Sequence, residues 1–125
     1  MSEKKSILAI DDDLVLLELF QRMLKEKYNI SAVSSASAAI HFMNANVVDI
    51  ILLDIEMPNI SGFDFLYDIR KIPSYMVVPI IIVSGNSGQD FLNRARSSGA
   101  FDVLTKPVKK EFLIETIEKA LTSGS

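Results

Sequence analysis

The chain has 125 residues, one domain's worth, and its 49% hydrophobic and 23% charged content is the balance of a soluble globular fold. A net charge of −3 and a pI near 5.1 give no basic footprint, so direct binding of nucleic acid is not expected. The absence of cysteine removes thiol catalysis and thiolate metal sites and fits a reducing, cytoplasmic setting, and every apolar run is too short to cross a membrane.

Strand and helix signals alternate along the chain. The charged start, Met1-Ser2-Glu3-Lys4-Lys5, leads into a short strand at Ile7–Ile10 rather than into the apolar segment of a signal peptide. Asp13 is placed to cap a helix whose Leu16, Phe20, Met23 and Leu24 repeat at helical spacing. Tyr28–Val33 reads as a second strand, and Ser35 or Ser37 can cap a helix through about Ala45. Ile50–Leu53 is apolar throughout, as a strand covered on both faces must be. Pro58 breaks the chain, and Gly62 opens a helix carrying Phe63, Leu66 and Tyr67. Ile80–Val83 is a further apolar strand, followed by the loop Gly85-Asn86-Ser87-Gly88 and a helix from about Gln89 to Ser97 that Gly99 stops. Phe101–Thr105 is the fifth strand, and Leu113, Ile117, Ala120 and Leu121 mark the last helix. Thr122–Ser125 reads as a frayed end or the start of a linker.

Five strand-then-helix units with right-handed crossovers predict a three-layer α/β sandwich: a five-stranded parallel sheet of flavodoxin-like order 2-1-3-4-5, with helices on both faces. Strand carboxyl ends then share one edge, where Asp11, Asp12, Asp13, Asp54, Ser84 and Lys106 all fall. An Asp run after a strand also reads as a turn with a helix cap, and Ser84 and Lys106 each read alone as an ordinary strand-end residue. Together they compose a place to hold a divalent cation and handle a phosphoryl group. Two carboxylates 4 Å apart repel by about 1 kcal/mol in water and about 4 kcal/mol at an effective dielectric of 20. Three of them therefore call for a cation, and hard oxygen ligands suit Mg²⁺. Asp54, ending the most apolar strand, is the strongest candidate nucleophile, since carboxylates form aspartyl-phosphates where cations withdraw charge from the phosphoryl group. The Lys106 ammonium would pair with Asp54 or with phosphoryl oxygens. The Lys106–Pro107 bond admits a cis form, which would fix the direction of the lysine. His41, the single histidine, has no ligand partner and reads as a surface residue.

In order and separation, these segments resemble the receiver domain of two-component response regulators: Ile7-Leu8-Ala9-Ile10-Asp11-Asp12-Asp13, Asp49 through Pro58 with Gly62, Pro79 through Gly85, Gly99-Ala100, and Leu104-Thr105-Lys106-Pro107. The resemblance runs from about Lys5 to Leu121 and makes residues 1–125 one receiver domain. It implies that Asp54 accepts a phosphoryl group from a histidine kinase or a histidine phosphotransfer protein. It further implies Mg²⁺ held by Asp11, Asp12, Asp54 and the backbone carbonyl of Glu56, with Ser84 as switch hydroxyl and Lys106 contacting the phosphoryl group. Such a domain is regulatory rather than a turnover enzyme, although it catalyses its own phosphorylation and hydrolysis. Phosphorylation would draw the Ser84 loop inward and alter the face formed by the fourth helix, fifth strand and fifth helix, which a downstream partner or a fused output domain reads.

One position departs from the family. Three residues before the lysine, where Tyr or Phe is usual, stands Val103, which cannot make a large rotamer swing. Glu56 and Asn86 are expected to flank the pocket, and Glu56 to affect phosphoryl lifetime. Phe91 and its helix are the expected docking surface. Two other readings are a receiver-like interaction module that is never phosphorylated and a small aspartate-nucleophile phosphohydrolase, for which Asp54-Ile55-Glu56 is a near miss and the chain has no room for a cap domain.

Overall fold

A computed structural model describes residues 3–123. Five parallel strands, β1 (Ser6–Ile10), β2 (Asn29–Val33), β3 (Ile50–Asp54), β4 (Ile80–Ser84) and β5 (Asp102–Thr105), form one sheet of order β2-β1-β3-β4-β5. The helices are α1 (Leu14–Leu24), α2 (Ala36–Ala45), α3 (Gly62–Arg70), α4 (Gln89–Ser97) and α5 (Lys110–Ser123), with a single 3₁₀ turn at Pro73–Tyr75. Thr122 and Ser123, expected in a frayed tail, end α5; Gly124 and Ser125, like Met1 and Ser2, lie outside the described residues. Among the described residues, no helix is long and apolar enough to cross a membrane.

Each face of the sheet carries its own core. Ile7, Ala9, Ile50, Leu52, Ile81 and Val83 pack against α1 and α5. Leu8, Ile10, Ile51, Leu53, Ile80 and Ile82 pack against α2, α3 and α4. Every residue of β3 and β4 is buried, so these strands show no polar alternation. Each fully buried Ile or Leu contributes about 1.5–3 kcal/mol relative to exposure. A one-residue slip of β3 would keep that burial and instead drag a carboxylate inward. Register is thus set by the polar ends: Asp49 accepts from Ser6 N–H at 2.8 Å through Oδ2 and donates its own N–H to Ser6 O at 2.8 Å.

Local signals place the helices. Asp13 Oδ1 accepts from Val15 and Leu16 N–H at 3.0 and 3.2 Å, Ser35 Oγ from Ala38 N–H at 3.1 Å, and Ser61 Oγ from Asp64 N–H at 3.3 Å. Gly99, with φ +91°, ends α4 in a conformation that costs most side chains strain. The buried stripe of α1 is Leu17, Phe20 and Leu24, with Leu16 and Met23 at its margin. The chain passes from β1 outward to β2 and then back across β1 to β3. That reversal leaves a crevice outside the carboxyl ends of β1 and β3.

Candidate functional site

Asp11 follows β1 and Asp54 ends β3, two paired strands, so their carboxylates face each other across the crevice. Asp12, Asp11 and Asp54 each offer a carboxylate oxygen within 4.8 Å of the others. Asp11 and Asp54 are buried, and Asp12 is exposed. Lys106 enters from the end of β5. Its Nζ lies 3.4 Å from Asp11 Oδ2 and 3.6 Å from Asp54 Oδ1, bridging the two acids. The peptide bond from Lys106 to Pro107 is cis, and Lys106 N–H donates to Ser84 O at 2.8 Å.

Backbone donors hold one oxygen of each acid. Asp13 N–H donates to Asp11 Oδ1 at 2.9 Å, and Glu56 N–H to Asp54 Oδ1 at 3.0 Å. Asp11 Oδ2 is, among the described residues, the one buried side-chain polar atom with no hydrogen bond; the 3.4 Å approach of Lys106 is an ion pair only. A buried carboxylate oxygen without a hydrogen bond is costly, and this one is open to a cation or a donor. Burial, aided by the Asp11 charge, pushes the Asp54 carboxyl up to about 6, although the Glu56 N–H and Lys106 oppose the rise. Burial works against the Lys106 ammonium, but Asp11, Asp54 and Glu56 outweigh it and raise its pKa.

The loops bounding the site are fixed by close contacts. At Gly62, a Cβ would lie 2.2 Å from Ile55 O, so only glycine lets α3 approach the turn that follows Asp54. Sequence reasoning marked Gly62 as a helix start and missed this approach. The Glu56 side chain reaches across to the loop after β4, where Oε1 accepts from Gly85 N–H at 2.9 Å. No spacing rule announces that bond.

The structure brings Asp11, Asp12, Asp54 and Lys106 together. Ser84 is fully buried at the end of β4, but its Oγ accepts from Asn86 N–H at 2.9 Å, within its own loop. Val103 is half-buried on β5 and packs against the α2–α3–α4 core. Phe91, expected on a docking surface, is half-buried against that core with its ring centroid 5.9 Å from that of Phe63. His41 is exposed, as expected.

A parallel sheet of this order, with acids at the reversal and a lysine just after β5, defines a doubly wound α/β domain with an acidic crevice at its carboxyl edge. The sequence profile of the response regulator receiver domain matches residues 7–118, and the chain belongs to that family. It is 35% identical over 124 residues to the 3',5'-cyclic-nucleotide phosphodiesterase regA of Dictyostelium discoideum, covering 96% of this chain and 16% of that protein. It is 31% identical over 123 residues to the response regulator protein TodT of Pseudomonas putida, covering 97% of this chain and 53% of that protein. The chain thus spans about half or less of these curated relatives. The chemotaxis protein CheY4 of Vibrio cholerae superposes with a TM-score of 0.89 at 23% identity, over 95% of this chain and 100% of that one, and shares the fold.

The acidic set fits a divalent cation on its own geometry. All the donors are hard carboxylate oxygens, and one of them, Asp11 Oδ2, is buried without a hydrogen bond.

Proposed function

We propose that the chain, residues 1–125 as one receiver domain, is a phosphorylation-dependent signalling switch of a two-component phosphorelay in the cytoplasm. Asp54 takes a phosphoryl group from a histidine kinase or a histidine phosphotransfer protein. The observation that carries this reading is the convergence of Asp11, Asp54 and Lys106, with Lys106 Nζ within 3.4 and 3.6 Å of the two acids.

Asp11, Asp12, Asp54 and the Glu56 carbonyl would hold Mg²⁺, which supplies charge neutralisation for the phosphoryl oxygens. With Asp54 Oδ1 held by Glu56 N–H, the other carboxylate oxygen attacks phosphorus. An O–P bond forms as the N–P bond of the donor breaks, and the imidazole leaves with the electron pair. Lys106 balances the charge that accumulates on the transferred group. Hydrolysis returns the carboxylate when water attacks the same phosphorus. Ser84 Oγ exchanges its Asn86 partner for a phosphoryl oxygen, which draws the loop inward and alters the face of α4, β5 and α5. Output passes to a downstream protein or to a fused domain, as the greater length of the relatives suggests. Nucleic-acid contact by this domain itself is not part of the reading.

Intact-mass measurement with a small acyl-phosphate donor tests it. One phosphoryl adduct that requires both Mg²⁺ and Asp54 is expected. No adduct under conditions where Mg²⁺ still binds would contradict it and favour a module regulated by binding alone.

A further inference from the structure

Two hydrogen bonds fix the loop after β4. Ser84 Oγ accepts from Asn86 N–H at 2.9 Å, inside the loop. Glu56 Oε1 accepts from Gly85 N–H at 2.9 Å and ties that loop to the turn after β3, 29 residues away in sequence. The same Glu56 donates its backbone N–H to Asp54 Oδ1 at 3.0 Å. One residue therefore grips the acceptor with its main chain and the neighbouring loop with its side chain. Glu56 is exposed, so packing does not dictate where its carboxylate goes. A Cβ on Gly85 would lie at an ordinary 3.7 Å from Glu56 Oε1, so crowding does not force the contact either. The hydrogen bond itself holds the carboxylate there.

We propose that the Glu56 carboxylate is a latch that holds the Ser84–Gly85 loop in the unphosphorylated arrangement and is displaced when Asp54 is modified. The inference rests on the assignment of Asp54 as phosphoacceptor and Ser84 as switch hydroxyl. Ser84 and Gly85 are consecutive, so any movement that brings Ser84 Oγ to a phosphoryl group carries Gly85 N–H with it. That movement breaks the bond to Glu56 or pulls the carboxylate toward the modified acid. The second course is opposed by charge, because an aspartyl-phosphate carries about −1.5 to −2 at neutral pH beside the glutamate, more than the carboxylate it replaces. The latch and the phosphoryl group thus compete for one loop. The apparent affinity of a ligand for the moved state is its intrinsic affinity multiplied by the fraction of molecules already in that state. Glu56 therefore sets a threshold for activation, which is separate from any effect on hydrolysis.

The test uses beryllofluoride, a phosphoryl mimic that is not hydrolysed, titrated with Mg²⁺ into the ¹⁵N-labelled full chain as wild type, Glu56→Gln, Glu56→Ala and Asp54→Asn. Glu56→Ala is expected to bind the mimic about five- to tenfold more tightly than wild type. Glu56→Gln should fall between them, because its amide oxygen still accepts from Gly85 without the charge. In the ligand-free Glu56→Ala protein, the Gly85 amide resonance should move toward its position in the bound wild type. Equal affinities would overturn the latch. So would identical gains for Gln and Ala with an unmoved Gly85 resonance, since charge alone would then explain the change. If wild type and both Glu56 variants all fail to bind, or Asp54→Asn binds as well as wild type, the assignment of Asp54 fails first and the latch with it.

Discussion

The two edges of the sheet treat buried polar groups in opposite ways. At the amino edge every such side chain among the described residues is answered. Arg70 donates to the carbonyls of Tyr75, Val78 and Gly99, Tyr75 Oη donates to Asn46 O, and Asp49 locks β3 to β1. Tyr28 Oη donates to Glu118, which Lys27 also approaches at 3.6 Å. At the carboxyl edge, two buried acids share one lysine, an oxygen of Asp11 is left without a hydrogen bond, and Asp54 is pushed up to about 6. The same fold thus concentrates its stability at one pole and its unrelieved charge at the other. Removing a group should therefore destabilise the amino edge and, without a cation, stabilise the carboxyl edge.

The largest break in that contrast is expected from Arg70→Ala. It strands the carbonyls of Tyr75, Val78 and Gly99, and should cost about 2–4 kcal/mol in urea unfolding. The fraction of folded protein phosphorylated at Asp54 should not change, because Arg70 lies at the opposite pole. Gly62→Ala joins the two regions. Its Cβ would displace Ile55, so a cost of about 2–3 kcal/mol should come with slower phosphorylation. A loss of stability with an unchanged rate would show that the turn after β3 moves without disturbing Asp54.

Asp54→Asn should act in the opposite sense, stabilising the cation-free protein by about 1–2 kcal/mol at neutral pH through relief of like charge. The pH dependence carries the same sign. Because the folded-state pKa of Asp54 is raised, from 3.8 to about 6, the native state binds the proton more tightly than the unfolded chain. Its contribution is fully present below about pH 4 and is lost as pH rises through about 6. Urea midpoints in chelator should therefore fall between pH 4 and 6.5 by more in wild type than in Asp54→Asn; parallel profiles would contradict the burial argument. The smallest effect belongs to Tyr28→Phe, about 1 kcal/mol, from loss of the hydroxyl bond to Glu118. Burial and Glu118 both raise the Tyr28 pKa, so this difference should be fully present below the ordinary range of tyrosine ionisation and shrink as pH rises through it, where only the unfolded chain ionises.

Much of this arrangement was legible in the sequence because its causes are local. Apolar runs stopped by Asp11, Asp54 and Ser84 fixed the strand ends, and Asp13 and Ser35 capped as their side chains predict. On α1 the spacing places Phe20 and Leu24 in the core and Leu16 and Met23 at its margin, but it omits the buried Leu17. Leu14, Val15 and Leu19 are apolar but exposed, so periodicity alone does not choose the buried face. Other features depend on partners distant in the chain: the Glu56–Gly85 bond, the Gly62–Ile55 approach and the packing of Phe91 on Phe63. The rotamer of Ser84 was equally hidden, since strand position shows where a hydroxyl lies but not which N–H it accepts from.

The most direct test of the charge contrast is urea unfolding of the wild-type protein at neutral pH across a Mg²⁺ titration, with Asp11→Asn alongside. If the carboxyl edge is a cation site, wild-type stability should rise with Mg²⁺, by about 2.7 kcal/mol at one hundred times the dissociation constant. Asp11→Asn should start more stable and gain far less. Equal midpoints for wild type with and without Mg²⁺, or an equal gain in the variant, would contradict the account.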